Sequence, residues 1–165
     1  TRLVVYDLHT LQNRFYLHGN TIASLRTTIP CLLPKLAEAG VNAVAFPDDG
    51  AAKRFKHMFD PAVFEIIVCG KIRTGDKRVV TVQDGDPAGR RVVIIDDLVQ
   101  TGGTLYECGS ALKRLGAATV SAFVAHGVFP RDAWRRFCRG GDRDVFETFY
   151  LTNSIPTTTD RLPKD

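Results

Sequence analysis

Residues 91–117 read RVVIIDDLVQTGGTLYECGSALKRLGA, and the predicted fold of the chain follows from this stretch. It opens with the β-branched run Val92 to Ile95, which is typical of a strand covered on both faces of a parallel sheet. Beyond residues 101–104, apolar side chains recur at intervals of three and four before Gly116, which is typical of an amphipathic helix with a glycine at its C-terminus. The stretch therefore predicts a strand, a loop at its carboxyl end, and a helix.

The predicted loop suits a phosphorylated sugar. In the segment TGGT, residues 101–104, the glycines allow the backbone to approach a phosphate, while helical N–H groups and the threonine hydroxyls donate to it. Asp96 and Asp97, predicted to close the strand as exposed acids, can accept hydrogen bonds from sugar hydroxyls. An ordinary turn, with capping acids and strain-relieving glycines, is the alternative, but two acids together with TGGT favour phosphate binding. The pattern lacks the lysine of GxxxxGK[ST] and the spacing of GxGxxG, which disfavours nucleoside-triphosphatase and dinucleotide sites.

The composition predicts a soluble globular protein. Of 165 residues, 44% are hydrophobic and 24% charged, which is enough for a sizeable core. The net charge of +4 is too small to indicate nucleic-acid binding. No apolar run reaches the roughly 20 residues of a membrane span and no signal peptide is recognisable, so a cytoplasmic protein without membrane contact is expected. The cysteines Cys31, Cys69, Cys108 and Cys138 are widely spaced, which predicts reduced thiols and neither a zinc site nor a disulfide framework.

Two other predicted strands also end in polar residues. Leu3–Tyr6 is followed by Asp-Leu-His, ending at His9, and Asn42–Phe46 is followed by Pro-Asp-Asp-Gly. Asp48 and Asp49 lie where the N-cap of the next helix is expected, so one acid can cap that helix while the other holds a metal or substrate. A single histidine near a strand end is more often structural than functional, so the residues alone leave the role of His9 open.

Basic residues gather in two places. The segment CGKIRTGDKRVV, residues 69–80, separates the predicted strands Glu65–Val68 and Val79–Val82 and is expected to be an exposed, mobile loop. It is either a solubilising hairpin tip or a loop whose cations close over a phosphate, and its position before the TGGT segment favours the second interpretation. The other group lies on the predicted helix Pro130–Cys138 and is expected to form a solvated face. The two groups are Lys71, Arg73, Lys77 and Arg78, and Arg131, Arg135, Arg136 and Arg139.

Strands and helices alternate along the chain. Ile29–Ala39 and residues 51–59 are predicted helices, and Thr119–Ala125 and Val145–Leu151 are predicted strands. Such alternation predicts an α/β fold with a mostly parallel sheet and helices on both faces.

Six segments match one family in chain order: YDLHTLQNRFY, FPDDGAAKRF, CGKIRTGDKR, GDPAGRRVVIIDDLVQTGGTL, LGAATVSAFVAHGVFP and LTNSIP. Together they resemble the carboxyl-side half of a ribose-phosphate pyrophosphokinase. Their motifs are most similar to those of the plant-type class. The resemblance covers nearly the whole chain and implies a type I phosphoribosyltransferase-like fold. It also implies that residues 1–27 end a preceding domain and that residues 28–165 form a carboxyl-side domain truncated at its end.

The family's reaction transfers diphosphate from ATP to ribose 5-phosphate, giving phosphoribosyl pyrophosphate and AMP. The resemblance therefore implies ATP and ribose 5-phosphate as partners, Mg²⁺ as cofactor, and a homo-oligomer. It places metal contacts at His9 and Asp48 and the catalytic cations at Lys71 and Arg73. The ribose 5-phosphate site that it implies comprises Asp96, Asp97, Gln100, Thr101, Gly102, Gly103 and Thr104.

The chain departs from the family at Gln100 and in its length. Many members carry a third acid where Gln100 stands; glutamine can bind a sugar hydroxyl but cannot act as a base, and we interpret it as a class marker. Because members also have a preceding adenine-binding domain and a closing segment, we expect a fragment or a shortened homologue. A type I phosphoribosyltransferase, which shares the loop but not the DLH, FPDDG and KIR segments, and a non-catalytic regulatory or assembly subunit remain as alternatives.

Overall fold

The computed structural model describes residues 2–17, 19–74 and 77–163 of the chain. The strands are β1 (Arg2–Tyr6), β2 (Ile22–Arg26), β3 (Ala43–Phe46), β4 (Glu65–Thr74), β5 (Lys77–Asp84), β6 (Arg91–Val99), β7 (Thr119–Gly127) and β8 (Phe149–Leu151). The α-helices are α1 (Ile29–Glu38), α2 (Asp49–Phe55), α3 (Gly103–Arg114) and α4 (Pro156–Thr159), and 3-10 segments cover Leu11–Tyr16, Lys56–Met58 and Pro130–Phe137. In these ranges, no helix is long and apolar enough to cross a bilayer.

Six strands form the main sheet, in the spatial order β5-β4-β3-β6-β7-β8. Neighbouring strands are parallel except for the edge pair β4 and β5, which is antiparallel. Strands β1 and β2 form a separate parallel pair. The predicted α/β class with a mostly parallel sheet is therefore confirmed, and β6 lies at its centre.

Strand β6 carries the core on both of its faces. Val92 and Ile94 belong to a buried cluster that includes α3, whereas Val93 and Ile95 belong to a second cluster that includes α1 and α2. This is the two-residue periodicity of a strand, and it places helices on both faces as predicted. Each such buried side chain contributes roughly 1.5–3 kcal/mol relative to exposure.

Strand β6 also runs further than the sequence predicted. Leu98 and Val99 still pair with β7, so Asp96 and Asp97 lie within the strand and not after it. Acids are poor strand formers, which is why the local pattern ended the strand at Ile95, but pairing with a neighbouring strand overrides that preference. As a consequence, the side chains of Asp96 and Asp97 point to opposite faces of the sheet.

Three further expectations are corrected. Most of the basic segment 69–80 is strand and not loop, since β4 and β5 extend toward each other as an antiparallel pair. The predicted helix Pro130–Cys138 is a kinked 3-10 segment, because Arg131 and Asp132 have φ values of 55° and 57°. The last strand covers only Phe149–Leu151, and β2 had no strong sequence signal.

Candidate active site

Most of the predicted site residues line one open cleft of about 380 Å³ at the carboxyl end of β6. The carboxyl ends of β3 and β6 meet at this edge, which is where open α/β sheets bind ligands. The predicted residues in the cleft wall are His9, Asp48, Asp96, Asp97, Gln100, Thr101, Gly102, Gly103 and Thr104. The fold thus brings the predicted metal contacts and the predicted phosphate loop together.

His9 enters the cleft because the turn after β1 is fixed to the start of α1. Asp7 is buried and has a φ of 45°, an uncommon conformation for a residue other than glycine. Its carboxylate accepts a hydrogen bond from the Thr28 N–H at 2.8 Å, and its own N–H donates to the Arg26 carbonyl at 2.9 Å. The turn directs His9 toward Asp97, so that Nδ1 lies 3.0 Å from each carboxylate oxygen.

The exposure predicted for Asp97 is wrong. Asp97 is only 1% exposed, and its carboxylate forms an ion pair with Arg54 of α2 as well as the contact with His9. The reason is the continuation of β6, which turns this side chain toward the α2 face. Removing one partner of such a buried pair typically costs about 3–5 kcal/mol, because the other charge is left uncompensated. Asp97 therefore holds both α2 and His9 at the end of β6.

Asp96 points to the opposite face and is only half-buried. Its pKa is raised from 3.8 to about 7, chiefly because burial removes water from the carboxylate and next because the charge of Asp48 is close. Arg54 and His9 act in the opposite direction. Asp96 and Asp48 are therefore two acids whose mutual repulsion a cation or a hydrogen-bond donor would relieve.

The carboxylates of Asp48 and Asp96, which both line the cleft, fit a magnesium ion. Mg²⁺ prefers oxygen ligands and commonly binds through one or two carboxylates, keeping several waters. Asp48 caps α2, with Oδ1 accepting the Ala51 N–H at 2.9 Å, so capping uses one of its two oxygens. Among the residues that the structure describes, no group of three or more His, Cys, Asp or Glu side chains could hold a metal. The donor set therefore suits a hydrated ion with few protein ligands and not a closed metal cage.

The loop after β6 takes its shape from Gly102. This residue has a φ of 71° in the left-handed region, and α3 starts directly after it. A Cβ atom at Gly102 would lie 2.3 Å from Cζ of Phe137, so glycine is required by packing as well as by backbone conformation. The first turn of α3 then presents unpaired N–H groups toward the cleft, which is a favourable environment for an anion.

Lys71 reaches the loop from β4. Its Nζ donates to Oγ1 of Thr104 at 3.2 Å. Beneath this contact, the buried Sγ atoms of Cys69 and Cys108 lie 3.4 Å apart and join β4 to α3. The side chain of Arg73 lies outside the described part of the structure, as do those of Lys77 and Arg78. One of the two predicted catalytic cations is thus adjacent to the predicted phosphate loop.

Sequence reasoning missed the part played by Arg54. Arg54 lies in the helix that follows PDDG, and nothing local links it to Asp97, 43 positions further along the chain. Glu107, one turn after the TGGT segment, also lines the cleft and was not predicted.

The chain belongs to the phosphoribosyl transferase domain family, whose model matches residues 50–147, well over half of the chain. Within that fold it is similar to ribose-phosphate pyrophosphokinases. It is 48% identical over 163 residues to ribose-phosphate pyrophosphokinase 4 of Arabidopsis thaliana, covering 96% of this chain and 48% of the relative. It is 46% identical over 164 residues to the mitochondrial ribose-phosphate pyrophosphokinase 3 of Spinacia oleracea, covering 96% of this chain and 40% of the relative.

A solved structure of a related enzyme has the same fold as this chain. The crystal structure of phosphoribosylpyrophosphate synthetase from Mycobacterium smegmatis superposes with a TM-score of 0.72 at 26% identity, covering 99% of this chain and 52% of that one. The resemblance recognised from the six segments and the phosphoribosyltransferase-like fold are therefore confirmed. The chain spans about half the length of the curated relatives it matches.

Proposed function

We propose that the protein is a ribose-phosphate diphosphokinase, which transfers the diphosphate of ATP to the anomeric hydroxyl of ribose 5-phosphate and releases AMP. The observation that carries the proposal is the convergence of a phosphate-type loop, two carboxylates and Lys71 on one cleft. Similarity to ribose-phosphate pyrophosphokinases over 96% of the chain supports this reaction over others that use the same loop.

Ribose 5-phosphate binds along the end of β6. Its phosphate accepts hydrogen bonds from the N–H groups and threonine hydroxyls of residues 101–104, where the dipole of α3 also favours an anion. The sugar hydroxyls then face Asp96, which accepts hydrogen bonds once it is ionised, and the amide of Gln100. Asp97 does not face the sugar and instead positions the site through its contacts with His9 and Arg54.

Transfer of the diphosphate depends mainly on positioning and charge, because phosphoryl transfer needs no covalent intermediate. Mg²⁺, which His9 and Asp48 would hold, neutralises phosphate charge when bound. From its place beside Thr104, the Lys71 ammonium stabilises the negative charge that develops on the transferred and leaving phosphates. Arg73, two positions along β4, is proposed as a second cation for the same charge.

Residues 1–27 are proposed as the end of a preceding domain and residues 28–165 as a carboxyl-side domain. In support, Phe15, Tyr16 and Ile22 are 74%, 80% and 68% exposed, and a two-stranded sheet such as β1–β2 is marginal alone. Of the residues before Ile29 that the structure describes, none belongs to either buried cluster. A protein of residues 28–165 should therefore unfold cooperatively, as followed by circular dichroism. A non-cooperative transition would contradict this division.

Two finer parts of the proposal concern assembly and compartment. A homo-oligomer is proposed because Val63, Leu115 and Val128, which lie outside residues 1–27, are exposed apolar side chains that a second copy can cover. The cytoplasm is proposed because all four cysteines are free. Light scattering on the purified protein and imaging of a fluorescent fusion test these two statements. A monomer, or targeting to an organelle as in the spinach relative, would contradict them.

Product analysis tests the reaction. The full-length protein that contains this chain is incubated with ATP, ribose 5-phosphate and Mg²⁺, and products are followed by ³¹P NMR. Stoichiometric formation of phosphoribosyl pyrophosphate and AMP is expected, and Lys71→Ala, which should form them far more slowly, serves as the comparison. If phosphoribosyl pyrophosphate is supplied instead, its consumption only when a nucleobase is also added would indicate a phosphoribosyltransferase. Ribose 5-phosphate binding without turnover would indicate a regulatory subunit.

A further inference from the structure

The segment that follows β7 packs against the outer side of the TGGT loop. The Phe137 ring lies directly over Gly102 and is stacked on Phe146, with ring centroids 5.8 Å apart. A few residues on, the N–H of Arg143 donates to the Arg136 carbonyl at 2.8 Å, which fixes the backbone beside the loop. Residues 137–143 therefore support the loop from the side opposite to the cleft.

Arg143 contacts the loop itself. Its Nη1 donates to the backbone carbonyl of Thr101 at 2.8 Å. The guanidinium lies 5.5 Å from the ring centroid of Tyr106 and 6.0 Å from that of Phe137, so two aromatic faces hold it in place. Arg143 is not among the residues that line the cleft. The Thr101 carbonyl that it binds is therefore directed away from the ligand.

The direction of this carbonyl determines the direction of an N–H group. In a trans peptide, the C=O of one residue and the N–H of the next lie in one plane and point in opposite directions. Holding the Thr101 carbonyl outward thus directs the Gly102 N–H toward the cleft. Gly102 has a φ of 71° and lacks a side chain, so without an external contact this peptide unit would rotate more freely than most.

We propose that Arg143 is a positioning residue for ribose 5-phosphate, which acts by holding the Thr101–Gly102 peptide with its N–H toward the phosphate. This inference rests on the proposed function, because it takes the TGGT loop as the phosphate site. The nearby Arg136 and Arg139 do not share the role. Arg136 pairs with Asp142, and Arg139 is exposed.

Arg139 offers a matched control, because its removal changes the net charge of the same segment by the same amount. In the full-length protein, Arg143→Ala should weaken ribose 5-phosphate binding about tenfold, as measured by calorimetric titration. A tenfold loss of affinity is what the loss of one hydrogen bond to a charged group typically causes. ATP affinity should not change. Arg143→Lys, which keeps a donor, should lose less than Arg143→Ala, and Arg139→Ala should match the wild type.

Two further measurements separate positioning from other effects. If Arg143 acts through the peptide, the ratio of wild-type to Arg143→Ala affinity stays constant between low and high salt, whereas direct attraction of the phosphate would make it fall. With ribose 5-phosphate bound as the acceptor of the Gly102 N–H, that amide should also exchange with solvent faster in Arg143→Ala than in Arg139→Ala. Equal ribose 5-phosphate affinity in wild type and Arg143→Ala would overturn this inference alone. A wild-type protein that binds no ribose 5-phosphate would overturn it together with the proposed function.

Discussion

The two flanks of the cleft are built in different ways. The carboxylate flank joins side chains from three separate segments, which depend on an ion pair, a histidine contact and burial for their arrangement. The loop flank, residues 100–104, is one continuous segment whose shape comes from backbone conformation at Gly102 and the start of α3. The first is therefore vulnerable to loss of a partner side chain and the second to changes of the backbone. The carboxylate flank comprises His9, Asp48, Asp96 and Asp97, and Arg54 supports it from outside the cleft lining through its pair with Asp97.

The largest effect is expected at Arg54. Arg54→Ala leaves the buried Asp97 carboxylate with only its His9 contact and should lower the free energy of unfolding by up to about 3–5 kcal/mol, measured by urea denaturation. Lys53→Ala removes the neighbouring but exposed cation and should change stability by less than about 0.5 kcal/mol. Equal stabilities of the two variants would show that the carboxylate flank does not depend on this pair.

The next effect concerns turnover and is expected at Lys71. Lys71→Ala in the full-length protein should lower kcat on the order of 10²–10³-fold, the usual result of removing one donor that stabilises transition-state charge. The KM for ribose 5-phosphate should change little, since the loop flank keeps its own donors. Lys56→Ala, an exposed cation away from the cleft, is the control. A change confined to KM would mean that Lys71 only holds Thr104.

A glycine comparison sharpens the difference between the flanks. Gly102→Ala introduces both the left-handed backbone penalty of about 1–2 kcal/mol and a clash with Phe137. Gly89→Ala, with a similar φ of 69° but nothing within 4 Å, introduces only the first. We expect Gly102→Ala to be less stable by roughly a further 1–3 kcal/mol and to weaken ribose 5-phosphate binding, as determined by denaturation and calorimetry. Indistinguishable variants would refute the packing role of Gly102.

The smallest effect is the pH dependence contributed by Asp96. Since its pKa is raised to about 7, the carboxylate is largely protonated below pH 7 and accepts hydrogen bonds fully only above it. Ribose 5-phosphate affinity should therefore rise as pH increases through 7. Asp96→Asn removes the contribution of Asp96 to the pH dependence of binding. The contribution of the ligand phosphate, whose pKa is about 6, remains in this variant. Ribose 5-phosphate affinity is measured for both proteins between pH 5.5 and 8.5, at intervals of about half a pH unit. If affinity changes with pH in the same way in the wild type and in Asp96→Asn, Asp96 is not a sugar ligand.

The sequence predicted the loop flank better than the carboxylate flank. Residues 101–104 are contiguous and local chemistry defines them, so the pattern alone located the strand, the glycines and the start of the helix. The burial of Asp97 could not be predicted, because it depends on pairing of β6 with β7 beyond Ile95 and on an arginine from another element. Arg143 was missed for a similar reason, since its segment is irregular and has no periodicity that indicates a contact.

Calorimetric titration of the full-length protein with ribose 5-phosphate and with ribose tests the central claim most directly, because the two ligands differ only in the group assigned to the loop flank. We predict that ribose 5-phosphate binds at least about 100-fold more tightly, as expected from several hydrogen bonds to a charged group, and that Gly102→Ala reduces this ratio. Equal affinities for the two ligands, or a ratio that Gly102→Ala leaves unchanged, would contradict the assignment of residues 101–104 as the phosphate site.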